Sequence, residues 1–249
     1  MSHMQSISFS LGQKPTELRG ISGKSNSINL NKEVTGASEG RTIDANMWLP
    51  RAAEVYQISP KLSDYILVPV PSLISDISNT NGDSVSKAEL LRFHPDQGCL
   101  AYQTWKGKPT HVEHANKDIT KAKGIILDVF LRPMARYHGN HVKVIKLLAF
   151  DRTKDETLCN NILERKVNTY SLGMWFKSYT CTICNNQVGQ NFGRMCVHTK
   201  PRKPIYQQPD GKLAYRQCEN IIGFETSVVL DPAYVVALSD HLIDVSKFA

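Results

Sequence analysis

The chain has 249 residues, enough for one large β-rich domain or two small ones. With 41% hydrophobic and 21% charged residues it is composed like a soluble globule, which excludes disorder throughout, and no apolar run approaches the ~20 residues that span a bilayer. The net charge of +7 and pI near 9.1 favour acidic partners, nucleic acid included, without choosing among them.

Ser2-His3-Met4 looks like an expression-tag remnant, and the N-terminus lacks the apolar core of a secretory signal. Residues 5–46 are poor in large apolar side chains and rich in Ser, Asn, Gly and Lys. That composition predicts a flexible or loosely docked arm over 1–46, with the ordered domain over 47–249. Tyr65-Ile-Leu-Val-Pro-Val-Pro71 is interrupted by prolines and reads as a short or edge strand. Asn79-Thr-Asn-Gly-Asp83 is a turn, and 86–92 is a helical turn capped by Ser84 or Ser86. Leu100 to Trp105 alternates and predicts a strand, closed by the turn at Gly107–Pro109.

Two further strands follow, over 123–131 and 142–150, the second apolar enough to be central. Leu158, Ile162 and Leu163 predict a helix over 153–167, with Thr153 or Asp155 as its cap. A strand over 170–179, a cysteine-rich insertion over 181–218, a strand over 221–230 and a terminal helix over 234–245 complete the chain. Many strands, few helices and no βαβ alternation argue for a mainly β, α+β fold and against a doubly wound sheet.

Six cysteines are present, and without a secretion signal their clustering points to metal before disulfides. Cys181-Thr-Ile-Cys184 and Cys196-Val-His198 supply three thiols and an imidazole in two close pairs. That donor set suits tetrahedral Zn2+, and a closed shell of four protein ligands is structural rather than catalytic. Such a metal would fold a polar insertion that has little apolar surface of its own. Cys218 is a substitute ligand; Cys99 and Cys159 read as small buried hydrophobes.

A serine hydrolase needs a nucleophile, a base within hydrogen-bond reach and a group that orients the base. His114 follows the turn at 107–109, and Ser171 lies two residues before Gly173. His111 competes with His114 as the base. As ordinary residues, His114 would be a surface turn histidine and Ser171 a small strand residue.

Several blocks carry a resemblance: Leu62-Ser-Asp-Tyr-Ile-Leu-Val-Pro-Val-Pro71, Asn79 to Asp83, and Tyr102-Gln-Thr-Trp-Lys-Gly-Lys-Pro-Thr-His-Val-Glu-His114. Ala122-Lys-Gly-Ile-Ile-Leu-Asp128, Tyr170-Ser-Leu-Gly-Met174 and Phe224-Glu-Thr-Ser-Val-Val-Leu-Asp-Pro-Ala233 continue it. Together, over about residues 60–240, they resemble the prohead core proteases of tailed phages, of the T-even and giant-phage type, relatives of herpesvirus assemblin. The resemblance implies a closed, mainly antiparallel assemblin-like β-barrel with surrounding helices, and a similar cysteine-rich insertion. It implies a serine endopeptidase that works inside the phage prohead, in the host cytoplasm. Its substrates would be the scaffold, the major capsid protein and itself, cut after Glu with a small or aliphatic residue two positions earlier. In that pattern His114 is the base and Ser171 the nucleophile; Glu225 falls where the third member is expected, with Asp151 and Asp231 as alternatives. The backbone around Gly173, or an arginine, would supply the oxyanion donors.

Self-cleavage is then expected in the arm, after Ala37-Ser38-Glu39. No membrane partner or catalytic cofactor is expected, and a homo-oligomer is left open. A zinc-knuckle nucleic-acid-binding protein is the competing class, but Lys and Arg are dispersed apart from 200–203. An inactive scaffold protein of the phage head is the third reading, and the intact His114 and Ser171 argue against it.

Overall fold

In a computed structural model, the described residues are 41–134, 140–189, 193–199 and 213–234, with short strands at 6–9, 16–17, 27–30 and 206–207. In chain order the strands are β1 (Ser6–Phe9), β2 (Thr16–Glu17), β3 (Ser27–Leu30), β4 (Arg41–Asp44), β5 (Tyr65–Ile74) and β6 (Asp83–Val85). They continue with β7 (Phe93–His94), β8 (Cys99–Leu100), β9 (Pro109–Val112), β10 (Gly124–Pro133), β11 (Val142–Asp151) and β12 (Tyr170–Trp175). The last are β13 (Ser178–Cys181), β14 (Gln187–Gly189), β15 (Tyr206–Gln207), β16 (Leu213–Ala214), β17 (Arg216–Glu219) and β18 (Ile222–Val228). Three α-helices occur among the described residues: α1 (Leu49–Tyr56), α2 (Lys87–Leu91) and α3 (Glu156–Leu163).

A seven-stranded sheet, in the order β12-β18-β9-β10-β11-β5-β2, carries the fold. Its long strands are buried on both faces, and their side chains divide by parity. On β11, Val142, Val144, Leu148 and Phe150 enter one core, and Ile145, Leu147 and Ala149 enter the other. Period-2 alternation explains how one unbroken apolar run feeds two cores. Bulges then shift the phase. The β5–β11 register slips at Ser72, so Ile66, Val68 and Val70 share a core with Leu73 rather than with a fourth even-numbered residue. A slip at Leu127 does the same on β10, where Ile126 and Val129 share that core.

The fold is mostly β with few helices, as the sequence predicts, and the main sheet curls into half a barrel. The sheet is mixed, because β18 runs parallel to β9, and among the described residues no pairing joins the end strands β12 and β2. The prolines of β5 give a reason on one side. β2 pairs only with Ile66 and Leu67, and beyond them Pro69 and Pro71, two residues apart, present the same outer edge without an N–H donor. β5 is therefore a long strand of ten residues, not a short one, and an edge only beyond Leu67.

Several local expectations meet their physical tests. Ser86 caps α2 by accepting from Glu89 N–H at 2.9 Å. Asp155 caps α3 by accepting from Leu158 N–H at 2.9 Å, so the helix is shorter than the 153–167 pattern and ends before Arg165, which has φ 60°. The Asn79–Asp83 turn forms around the Asn79 side-chain oxygen, which accepts from Asn81 N–H at 3.0 Å and Asp83 N–H at 2.9 Å. Residues 101–105 are a 3-10 helix, not a strand. There Gln103 Oε1 accepts from Leu100 N–H at 3.0 Å and Thr104 donates to Ala101 O at 2.7 Å, local bonds that win over an alternation only six residues long. The strand expected over 170–179 is two strands in different sheets, β12 and β13.

Part of the expected N-terminal arm is strand: β1, β3 and β4 form a small sheet, and Ile28 and Ile43 pack into the core that includes α1. β2 joins the main sheet and Ala45 and Asn46 open a 3-10 turn, whereas the remainder of the arm, Glu39 included, and the terminal helix expected beyond Tyr234 lie outside the described residues.

Gly124 begins β10 between β9 and β11, where an added Cβ would overlap the backbone carbonyl of Ala149 and lie 2.9 Å from Phe150 Cα. Backbone on an inner strand has little room to yield. Gly124→Ala should lower unfolding stability by about 1–3 kcal/mol, read from the denaturant midpoint. An unchanged midpoint would show that the strands separate freely there.

Candidate functional site

Three neighbouring strands, β12, β18 and β9, assemble the site. Ser171 lies opposite Ser227, and Ser227 opposite His111, so the three form one row across the sheet. One step along, Glu225 faces Gly173 on the same side. β9 ends opposite Val228, and the chain then turns sharply. Glu113 and His114 both adopt left-handed backbone, with φ 48° and 54°. For non-glycine residues this costs roughly 1–2 kcal/mol each.

Four hydrogen bonds hold the strained turn. Glu113 N–H donates to Val228 O at 2.9 Å, and His114 N–H donates to Ser227 Oγ at 3.2 Å. Leu230 N–H donates to Glu113 Oε1 at 2.9 Å, and Ala115 N–H to Val112 O at 3.0 Å. The turn brings the His114 ring to Glu225, with Nδ1 2.7 Å from Oε1. A carboxylate only accepts, so Nδ1 carries the hydrogen and Nε2 keeps a lone pair. The second oxygen of Glu225 accepts from Ser227 Oγ at 2.5 Å. Glu225 is fully buried, whereas the His114 side chain is 44% exposed. The Glu225 hydrogen bond raises the His114 pKa above its usual value, and it outweighs burial, which acts the other way.

Of the competing residues, His111 shares the row of Ser171 and Ser227, but no hydrogen bond links it to Glu225. His111 is buried, its Nδ1 has no hydrogen-bond partner, and burial lowers its pKa. Asp151 accepts from Ser59 N–H at 2.6 Å and from Thr153 N–H and Oγ1 at 2.8 Å. Asp231 is exposed, and no hydrogen bond links it or Asp151 to His114. Ser171 is 8% exposed, one strand away from Ser227, and no hydrogen bond joins its hydroxyl to the His114 ring. A side chain at Gly173 would meet Glu225 Oε1 at 2.5 Å, so the glycine makes room for the carboxylate.

The sequence reading missed the supports of this site. Ser227 ties Glu225 to the His114 backbone. Trp105, fully buried, donates from Nε1 to Gly173 O at 2.9 Å, and Gly223 packs against its indole. Lys146 Nζ lies 4.3 Å from the Trp105 ring centroid and donates to Thr226 Oγ1 at 2.9 Å. Burial holds the Lys146 pKa well below its usual value. A signal was available: Lys146 has the core-facing parity of Val144 and Leu148 in a run otherwise apolar at those positions.

A second cluster forms in the insertion. Cys181, Cys184, Cys196 and His198 place one ligand atom each within 4.8 Å of one another, an arrangement that can hold a metal ion. Cys181 ends β13, where Asn185 N–H donates to Cys181 O at 3.0 Å and Ile183 N–H to Cys181 Sγ at 3.5 Å. Cys196 Sγ lies 3.3 Å from Thr199 Oγ1. Burial acts to raise the Cys196 thiol, but hydrogen bonds from Thr199, the two other cysteines and His198 bring it down to about 6. His198, which faces Cys196, also has its Nδ1 buried without a hydrogen-bond partner. Cys218 is not in the cluster; it is buried on β17, with its Sγ 3.7 Å from Asp83 Oδ1. Cys159 is buried as expected, but Cys99 is half-exposed.

Chain continuity links the two clusters. β12 leads into β13 and β17 into β18, the β12–β18 and β13–β17 pairs are both antiparallel, and Lys177 N–H donates to Glu219 O at 3.1 Å between them. They form one ribbon, with the Ser171–Glu225 constellation towards one end and Cys181 at the other. Among the described residues, no helix is long and apolar enough to cross a membrane. Comparison of the chain with protein-family models, curated proteins and solved structures finds no match.

The geometry predicts the behaviour of His114 directly. Its ring should titrate above about 6.5 in NMR, because the Glu225 carboxylate stabilises the imidazolium. Glu225→Gln removes that charge and should lower the His114 pKa by about one unit or more. An unchanged pKa would mean that the 2.7 Å contact does not persist in solution.

Proposed function

We propose that this protein is a serine endopeptidase of phage prohead maturation. The observation that carries the reading is the bonded set His114–Glu225–Ser227, held on β18 and the turn after β9, beside the strand that bears Ser171. Ser171 Oγ attacks the scissile carbonyl while His114 Nε2 takes its proton, and Glu225 stabilises the imidazolium. His114 then returns the proton to the leaving amine, and water releases the acyl group by the same route. Catalytic hydrogen bonds are often long or poorly aligned without substrate and tighten in the complex, and on this reading the Ser171–His114 bond forms when substrate binds.

The resemblance of the sequence blocks to prohead core proteases supplies the substrates: scaffold, major capsid protein and the enzyme itself, cut after Glu inside the prohead. On this reading the curled sheet is a relative of the assemblin barrel. The four ligands at Cys181, Cys184, Cys196 and His198 hold a structural Zn2+, and Zn–S bonds of about 2.3 Å would set tetrahedral sulfurs about 3.8 Å apart, within the observed spacing.

Ser171→Ala should leave the fold intact and lower cleavage of the scaffold at least about a thousandfold. Turnover retained in the purified variant would rule out the serine mechanism. Elemental analysis of protein purified without chelator should return about one zinc per chain, falling in Cys184→Ser. A folded, active and metal-free sample would reject the zinc assignment.

A further inference from the structure

Ser171, Gly173 and Trp175 alternate along β12 and therefore face one side of the sheet. Trp175 is 67% exposed, among the most exposed large apolar side chains described. Its ring stacks on Phe224, with centroids 5.0 Å apart and planes 30° apart. Phe224 reaches that side because β18 is bulged there: Glu225 opposes Gly173 and Gly223 opposes Met174, which leaves Phe224 as the extra residue. The Phe224 ring lies over Gly173, 2.6 Å from where a Cβ would stand. Gly173 thus lets an aromatic wall approach the candidate nucleophile. Trp175 lies four residue steps beyond Ser171, about 13 Å along the strand, the reach of a short extended peptide.

β12 is also an end strand. Val229 N–H donates to Thr169 O, so Thr169, Ser171 and Gly173 turn their backbone groups towards β18. Leu172 and Met174 turn theirs outward, where no strand pairs with them among the described residues. An open edge offers backbone hydrogen bonds to an extended chain, and a neighbouring apolar wall reads its side chains.

We propose that Trp175 and Phe224 wall an apolar subsite that receives one aliphatic or aromatic side chain of a polypeptide substrate, laid extended along β12 with its scissile bond at Ser171. The proposal rests on the protease reading and names the residues that select its substrate. Aromatic stacking leaves the Trp175 face exposed while fixing the ring, so the wall is preorganised rather than formed on binding.

The test uses the full chain and two readouts. First, wild type, Trp175→Ala and Trp175→Phe each digest a proteome-derived peptide library, and the cut sites are mapped by mass spectrometry. Wild type should prefer an apolar residue at one position within four of the cut. Trp175→Ala should lose that preference, with kcat/KM on peptides bearing the apolar residue falling about ten- to a hundredfold, while Trp175→Phe retains most of it. Second, Ser171→Ala is titrated with synthetic hexapeptides that carry Leu or Ser at the central positions. The Leu peptide should blue-shift tryptophan fluorescence and the Ser peptide should not, and the shift should vanish when Trp175→Ala is added. An unchanged cleavage profile in Trp175→Ala, or no shift with either peptide, overturns the subsite. A Leu-specific shift through Trp175 in a protein whose wild type cuts nothing supports the subsite and sinks the protease reading instead.

Discussion

A buried carboxylate sets the terms for this site. Glu225 has no exposure to water, so its charge is tolerable only if both oxygens are bonded. One oxygen is met by His114 and the other by Ser227. Ser227 in turn accepts from the His114 backbone, so the same hydroxyl that solvates the carboxylate also fixes the turn that carries the imidazole. Removing either partner would strand a buried charge, a loss of about 3–5 kcal/mol by analogy with broken buried pairs. The left-handed residues Glu113 and His114 persist against that background: their strain is smaller than the penalty for losing the contacts that they make possible.

The sheet explains why these groups meet. Residues 111 to 114 and 225 to 228 are far apart in sequence, and a parallel pairing of β9 with β18 lays them side by side. Behind that pairing, Trp105 joins the layers. Its indole donates to Gly173 O, its ring lies against Gly223, and Lys146 sits over its face. A lysine buried beside an aromatic ring and a threonine hydroxyl, with its pKa pushed down by burial, acts as a polar bolt under β18 rather than as a surface charge. The ribbon that continues from β12 and β18 into β13 and β17 carries this order to the cysteine cluster, so one pair of chain segments positions both groups of candidate residues.

Much of this was legible in the sequence, for stated reasons. Apolar runs at 123–131 and 142–150 read as strands, the second as a central one, and both are inner strands of the main sheet. Close spacing brought Cys181, Cys184, Cys196 and His198 together, since short chain separations leave few alternatives. Glu225 was named from a resemblance, and only the structure sets it against His114 rather than Asp151 or Asp231. What stayed hidden was long-range. No local pattern announces that β9 pairs in parallel with β18, that a bulge swings Phe224 towards Gly173, or that Ser227 accepts from a backbone group 113 residues away. Residues 101–105 misled because hydrogen bonds from Gln103 and Thr104 outbid a weak alternation. The two prolines of β5 suggested a short or edge strand; the strand is ten residues long and an edge only beyond Leu67, because prolines on an outer edge do not interrupt pairing on the inner one.

The central claim is that His114, oriented by Glu225, activates Ser171. Covalent labelling with a fluorophosphonate tests this without knowledge of the natural substrate, because such probes react with an activated serine far faster than with an ordinary hydroxyl. Peptide mapping of labelled protein should find a single adduct on Ser171, lost in His114→Ala and slowed in Glu225→Gln. An unlabelled Ser171, or an adduct that forms equally well without His114, would contradict the account.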